Sequence, residues 1–285
     1  MTGPGDLQRG SSVLEVARAF RTDIEAGKYR HQEQLPTTRV LADEWKTSVA
    51  TITRAMAQLA DEGLVINRDR AGRLVNYPGP DQHERGGSRR PEPMVIVVGG
   101  YAGSGKTETG RIIARATGWA MLDKDSITRP VVESMLRSLG LDPRDRESET
   151  YLTKIRPAEY ESLREVALEN VACGNSVIVT APFTKELKDP AWCQRFIADF
   201  SAHSAQVRGL WVRCDEESMR TYLRRRGAAR DDYKLENWDA YVAGLDMTYT
   251  PAMAQHVILN NSIQDPPLHK QTEQVLERWG VHAHR

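Results

Sequence analysis

The chain has 285 residues, with 39 basic and 39 acidic side chains and 40% hydrophobic residues. At roughly 150 residues per domain this length predicts about two domains, and the hydrophobic share is enough for packed cores, which excludes a globally disordered chain. The zero net charge excludes a polycation that grips nucleic acid or membrane by bulk charge.

Cys173, Cys193 and Cys214 form no CxxC pair. That argues against a disulfide framework or a cysteine-rich zinc site and predicts three small, buried hydrophobes. No apolar run approaches the ~20 residues of a membrane span. The start, MTGPGDLQRGSS, has no hydrophobic signal core. A soluble, cytoplasmic protein with no membrane partner is expected.

The first element is a helix over Val13–Ala26. Val13, Val16, Ala17, Phe20 and Ile24 recur at helical spacing behind Ser11 and Ser12, and Gly27 stops it. A short second helix, Thr38–Trp45, is expected to turn Val40, Leu41 and Trp45 inward. Ser48 caps a third, Val49–Glu62, with Ile52, Ala55, Met56 and Leu59 on one face. Leu64–Asn67 and Arg73–Tyr77 read as two strands joined by a turn at Asp69–Gly72.

Two helices, a tight turn and a hairpin make a winged helix-turn-helix. The blocks Ile24-Glu-Ala-Gly-Lys-Tyr29, Leu35-Pro-Thr-Thr-Arg39-x-Leu41-Ala42, Ser48–Leu59 and Glu62-Gly-Leu-Val65 follow in order. Together they resemble the GntR-type DNA-binding domain. The resemblance implies operator DNA as a partner and two copies on a two-fold site, hence a homodimer if DNA is bound. Candidate DNA contacts are Thr37 and Arg39, Ser48, Thr51 and Arg54 at the recognition helix, and Arg70 and Arg73 on the wing. Val49 and Thr53 stand where the family carries arginines, and Arg70 replaces a wing glycine. Arginine reads a guanine edge with two donors, which Val49 cannot supply. A module that has lost DNA and serves dimerisation or docking is the alternative.

Asn76–Pro93 is rich in Pro, Gly and charge and lacks an apolar period, so it reads as an exposed linker. The expected division is a winged-helix domain at 1–77, a linker at 78–93 and a second domain at 94–285.

Met94–Val98 is a short, all-apolar, β-branched run, as in a central parallel strand. It runs into Gly100-Tyr-Ala-Gly-Ser-Gly-Lys-Thr107, which matches GxxxxGK[ST], and a helix over Glu108–Thr117 follows. Strand, glycine loop and helix are the context a P-loop requires. Gly100, Ala102, Gly103, Ser104, Gly105, Lys106, Thr107 and Glu108 are therefore the nucleotide candidates. The glycines let main-chain N–H groups turn toward phosphate. Lys106 is expected on the β- and γ-phosphates and the Thr107 hydroxyl on Mg²⁺, with the helix dipole adding positive potential. ATP and Mg²⁺ are the expected cofactors.

A second strand, Trp119–Leu122, ends at Asp123-Lys124-Asp125-Ser126, and a helix is expected from near Thr128. A carboxylate at a parallel strand's C-terminal tip faces the ligand crevice. Asp125 is the preferred general base or substrate anchor, against a helix cap as the bland alternative; Asp123 is the second candidate. Ala158–Cys173 is an amphipathic helix and Ser176–Thr180 a third strand, with no Asp at its end. The acid of hydrolysing motor ATPases is missing there. Val207–Arg213 is a fourth strand. In the helix beyond it Arg224, Arg225, Arg226 and Arg230 crowd together, with Arg226 and Arg230 on one face if the helix continues. His256–Leu259 is a fifth strand, with Asn260-Asn261-Ser262 at its tip near an expected adenine pocket.

Strand–helix alternation predicts an α/β fold, a three-layer α/β/α unit with a five-stranded parallel sheet behind the small winged-helix domain. The P-loop, Asp125 and the block Arg226-Gly-x-x-Arg230-Asp231-x-x-Lys234 resemble the P-loop small-molecule kinases of the zeta-toxin, chloramphenicol phosphotransferase and gluconate kinase group. The resemblance implies that Lys106 and Thr107 serve ATP–Mg²⁺, that Asp125 orients or deprotonates an acceptor hydroxyl, and that Arg226 and Arg230 close as a lid. The expected activity is ATP-dependent phosphorylation of a small polar metabolite, sugar-, nucleoside- or antibiotic-like. Thr128–Ile155, with Arg129, Arg137, Arg144, Arg146, Glu147 and Glu149, is its expected acceptor pocket. The alternative is a GntR-like regulator whose P-loop domain senses a ligand; a zeta-like toxin is a third reading.

Overall fold

The structure is a computed structural model that describes residues 12–29, 31–68, 72–77, 92–227 and 231–281. It divides into two compact units, Met1–Pro91 and Glu92–Arg285. Among the described residues no helix is long and apolar enough to cross a membrane.

In the first unit α1 (Val13–Glu25) opens on a capping box: Ser12 Oγ accepts from Glu15 N, and Glu15 Oε2 accepts from Ser12 N at 2.7 Å. Next come α2 (Thr38–Glu44) and α3 (Val49–Asp61), capped by Thr37 and Ser48. The wing pairs β1 (Val65–Arg68) with β2 (Gly72–Val75), Val65 opposite Val75. Phe20, Ile24, Leu41, Ile52, Met56 and Leu59 form the core, and Arg21 ties α1 to the end of α3 through Glu62 at 2.8 Å. Val40 departs from expectation, because α2 buries Leu41 and Ala42 and leaves Val40 45% exposed. The segment around Gln34 also joins the wing by bridging Leu74. Its Gln-Glu-Gln run carries no alternation that would announce a strand. The expected turn residues 69–71, Arg70 among them, and linker positions 78–91 lie outside the described residues.

The second unit is a five-stranded sheet in the order β4-β5-β3-β6-β7, every pair parallel. The strands are β3 (Met94–Gly99), β4 (Ala120–Asp123), β5 (Val177–Thr180), β6 (Gln206–Arg213) and β7 (His256–Asn260). Their helices are α4 (Lys106–Thr117), α5 (Lys124–Ser138), α6 (Arg156–Ala172), α7 (Pro190–Ser201), α8 (Glu216–Arg226), α9 (Asp232–Glu236), α10 (Trp238–Ala243) and α11 (Leu268–Arg278). Alternation on β3 shows both faces covered. Val95 and Val97 pack with Leu163 of α6 and Phe196 of α7. Met94, Ile96 and Val98 pack with Ile113 of α4 and Val275 of α11. A strand buried on both faces must be apolar at every position, which is why Met94–Val98 shows no period of two.

Two boundaries move in ways that matter for the site. α5 starts at Lys124 rather than near Thr128, capped by Asp123 through Ser126 N at 3.1 Å. α8 does not continue past Arg226, because Gly227 ends it in the left-handed region (φ 59°). One cysteine also differs: Cys193 and Cys214 are buried, but Cys173 is exposed at the end of α6.

Candidate active site

The P-loop is shaped by its neighbours as much as by its own sequence. Gly103 has φ +85°, and a Cβ there would sit 2.8 Å from Met219 Cγ and 2.9 Å from Leu223 Cγ, so α8 packs directly onto the loop. Gly105, at φ +96°, caps α4, and a Cβ there would reach 2.3 Å from Asn261 Nδ2. Only glycine meets both demands. Asn261, just past β7, donates from Nδ2 to Ser104 O at 2.9 Å and pins the loop from the other side. Tyr101 packs edge-on against Trp211, and its hydroxyl bonds the main chain of Asp246.

A cleft of about 520 Å³ opens over this loop. Gly103, Gly105, Lys106, Thr107 and Glu108 form its floor, and Tyr222, Arg225, Arg226, Asn261 and Leu268 complete the lining. Ser104 is buried beneath it, and Glu108 stands in the first turn of α4. Tyr222 and Leu268 are additions that sequence reasoning missed, since each lies on a helix with an ordinary apolar period. Asn261 takes the place expected for the tip of the fifth strand.

The carboxylate missing from the end of β5 arrives from its neighbour. β4 and β5 pair with Asp123 opposite Thr180. Thr180 Oγ1 donates to Asp123 Oδ2 at 2.7 Å, and the same oxygen stands 3.5 Å from Thr107 Oγ1. A threonine hydroxyl and a carboxylate are the hard oxygen donors that Mg²⁺ takes beside phosphate oxygens and water. Among the described residues no group of three or more His, Cys, Asp or Glu could hold a metal alone. The donors present therefore fit a nucleotide-borne Mg²⁺ rather than an all-protein cage.

Asp125 sits in the first turn of α5, with Oδ1 3.0 Å from Lys124 Nζ. Lys124 is buried and reaches Glu159 Oε1 of α6 at 2.8 Å. The Tyr151 hydroxyl donates to Glu159 Oε2 at 2.7 Å; burial, then this bond, pushes the phenol well above its ordinary range. Much of the charge expected to line an acceptor pocket is engaged locally. Arg137 pairs with Glu133, Arg144 with Asp142, and Arg146 lies over the Tyr151 ring. Glu147 instead reaches Lys234 of α9 at 3.8 Å.

Arg226 ends α8 and binds buried Asp231 through Nε at 2.8 Å and through a second guanidinium nitrogen. The shared helical face expected for Arg226 and Arg230 does not exist, because the helix stops at Gly227. Arg230 itself lies outside the described residues. Burial pushes the Cys214 thiol up to about 12, so it stays protonated beside the cleft.

In the first unit the DNA candidates split into two kinds. Thr37 Oγ1 accepts from Val40 N, and Ser48 Oγ accepts from Thr51 N at 3.0 Å and lies 2.8 Å from Thr51 Oγ1. Arg73 donates to Thr38 Oγ1 at 2.8 Å. Arg39 and Arg54 are exposed, as is Val49 at 49%.

Residues 95–247 match the family model described as AAA domain, and residues 13–75 match that of bacterial regulatory proteins, gntR family. A shikimate kinase from Moorella thermoacetica is 32% identical over 103 residues, 34% of this chain and 54% of that enzyme. An uncharacterized HTH-type transcriptional regulator from Bacillus subtilis is 31% identical over 67 residues, 24% of this chain and 14% of that protein. The chain thus spans about half of the first relative and a small part of the second. An unliganded sugar kinase from Janibacter sp. HTCC2649 superposes with a TM-score of 0.45 at 18% identity, over 66% of this chain and 95% of that one.

Proposed function

Because the AAA-domain model spans more than half of it, the chain belongs to that family, and we propose that its second unit transfers the γ-phosphoryl group of ATP to a hydroxyl of a small polar metabolite. The observation that carries this reading is Asp123 at the tip of β4, bonded to Thr180 and 3.5 Å from the P-loop hydroxyl of Thr107. It supplies the acidic partner that a P-loop needs and that its own neighbouring strand lacks.

The roles follow from placement. The glycine loop and Lys106 would hold the β- and γ-phosphates, and Thr107 with Asp123 would hold Mg²⁺. When bound, that ion neutralises charge on the phosphate oxygens. Asp125 accepts the proton of the acceptor hydroxyl as its oxygen bonds to phosphorus and the bond to the ADP oxygen breaks. Arg226, oriented by Asp231, and Arg225 face the charge that develops on the transferred group. Catalysis is then mainly positioning and charge neutralisation. The shikimate kinase match makes cyclic polyols sensible first acceptors. Incubating the protein with Mg·ATP and a panel of sugars, polyols, nucleosides and hydroxylated antibiotics should add the mass of one phosphate to one class. ATP binding without transfer to any panel member would favour a nucleotide sensor instead.

The working division is 1–77, 78–93 and 94–285, with the winged-helix module binding duplex DNA as a homodimer. The gntR match and the exposed Arg39 and Arg54 support this reading. Gel-shift retention should fall as salt rises, since phosphate contacts release counterions. Arg54→Ala, which removes one phosphate contact from each of two copies, should lower the log–log salt slope by about 2. Absence of retention at low salt would remove both DNA binding and the regulator alternative.

A further inference from the structure

We propose that Lys124 is a positioning residue for the reaction: its buried ammonium fixes Asp125 for proton acceptance, and Glu159 anchors the ammonium from behind. This rests on the phosphoryl-transfer reading and adds to it a residue that touches no substrate.

Lys124 is 5% exposed in its side chain, and Glu159 is 2% exposed. Lys124 Nζ lies 2.8 Å from Glu159 Oε1 and 3.0 Å from Asp125 Oδ1. Glu159 cannot drift, because three side chains hold it: Lys124 and Thr128 of α5, and Tyr151. The Thr128 hydroxyl stands 2.7 Å from Oε1 and 2.8 Å from the Lys124 carbonyl, sharing one proton between them. The Tyr151 hydroxyl donates to Oε2 at 2.7 Å. A buried ammonium needs a counter-charge, and Glu159 alone supplies one. The second carboxylate, Asp125, is 38% exposed and follows by two residues the acid that approaches the P-loop. Neutralising the lysine does not require it. Tethering one of its oxygens restricts where the carboxylate points, and an error of about 1 Å in such a group costs about 10²-fold in rate.

The test is the double variant Lys124→Met/Glu159→Gln, which removes both charges together and so leaves no buried carboxylate without its counter-charge. ADP release from Mg·ATP with the panel acceptor that gains phosphate gives kcat and the KM for ATP, and Asp125→Asn is measured beside the double variant. The expected result is a folded protein with the KM for ATP within about threefold and kcat lowered about 10- to 100-fold, because Lys124 orients Asp125 and does not hold the nucleotide. A folded double variant with wild-type kcat overturns the proposal. If the double variant does not fold, Lys124→Arg replaces it. Its longer planar fork displaces Asp125 while keeping the charge, so about a tenfold loss is expected and a wild-type rate again overturns the proposal. Failure of every panel acceptor to gain phosphate would defeat the phosphoryl-transfer reading, and the proposal with it. Asp125→Asn separates the two failures: if it slows transfer while the folded double variant does not, the phosphoryl-transfer reading stands and the Lys124 contact fails.

Discussion

Lys106→Ala is expected to lower phosphoryl transfer by about 10²- to 10³-fold or more, while the protein stays folded. Lys106 begins α4 directly after the left-handed Gly105 and lines the cleft. Its ammonium is placed where negative charge builds on the β- and γ-oxygens, so its loss falls on the transition state. The fold should not notice, because the side chain is only half-buried and belongs to none of the apolar clusters of the second unit. Phosphate gain read by mass, with circular dichroism and a thermal midpoint beside it, makes the comparison. Undiminished transfer by a folded variant would sink the kinase assignment.

Asp123→Asn should lower kcat by about 10²-fold and raise the Mg²⁺ concentration needed for half-maximal rate. The substitution keeps an oxygen to cap α5 at Ser126 N, and asparagine caps helices about as well as aspartate, so any stability loss should stay below about 1 kcal/mol. It removes the charge beside Thr107 and puts an amide donor in place of the oxygen that accepts from Thr180 Oγ1. A Mg²⁺ titration of the rate at saturating ATP separates the possibilities. Equal loss at every Mg²⁺ concentration would mean that Asp123 acts on something other than the metal.

Zero net charge at first suggests a bland surface. The structure shows a cancellation instead. Arg225 and Arg226 gather at the cleft, and many other charges close local pairs such as Arg164 with Glu161 and Arg156 with Glu186. The winged-helix part is near neutral, with 11 basic and 10 acidic residues among the first 80. Phosphate contacts dominate DNA affinity, so retention should be weak at moderate salt. Val49 adds an exposed apolar side chain at the recognition helix rather than a guanine-reading donor.

Much was legible from order along the chain. The P-loop, the caps at Ser12, Thr37 and Ser48, and the all-apolar strand Met94–Val98 are local patterns. Each states its own period, cap or turn, and the structure has the caps at Ser12 and Ser48 and the strand where expected, while the cap at Thr37 is a finding of the structure. By sequence Asp125 is the preferred strand-tip acid and Asp123 the second candidate. Choosing between them for the metal needs the β4–β5–β3 order, which brings Asp123 to Thr180 and on to Thr107. The helix start was misjudged for a related reason. Asp123-Lys-Asp-Ser126 offers more than one possible cap, and which one acts depends on where β4 ends.

The residues of this chain thus announce a winged helix and a phosphate loop unaided, because helical period, capping and glycine turns act over a few positions. They do not announce that Lys124 is buried between two carboxylates, that Asp231 holds Arg226, or that Gln34 completes the wing. Those pairs lie 35, 5 and 40 residues apart or less, yet each depends on two backbones meeting at one point. Sheet order and helix packing decide that meeting, and burial then determines which charges must pair.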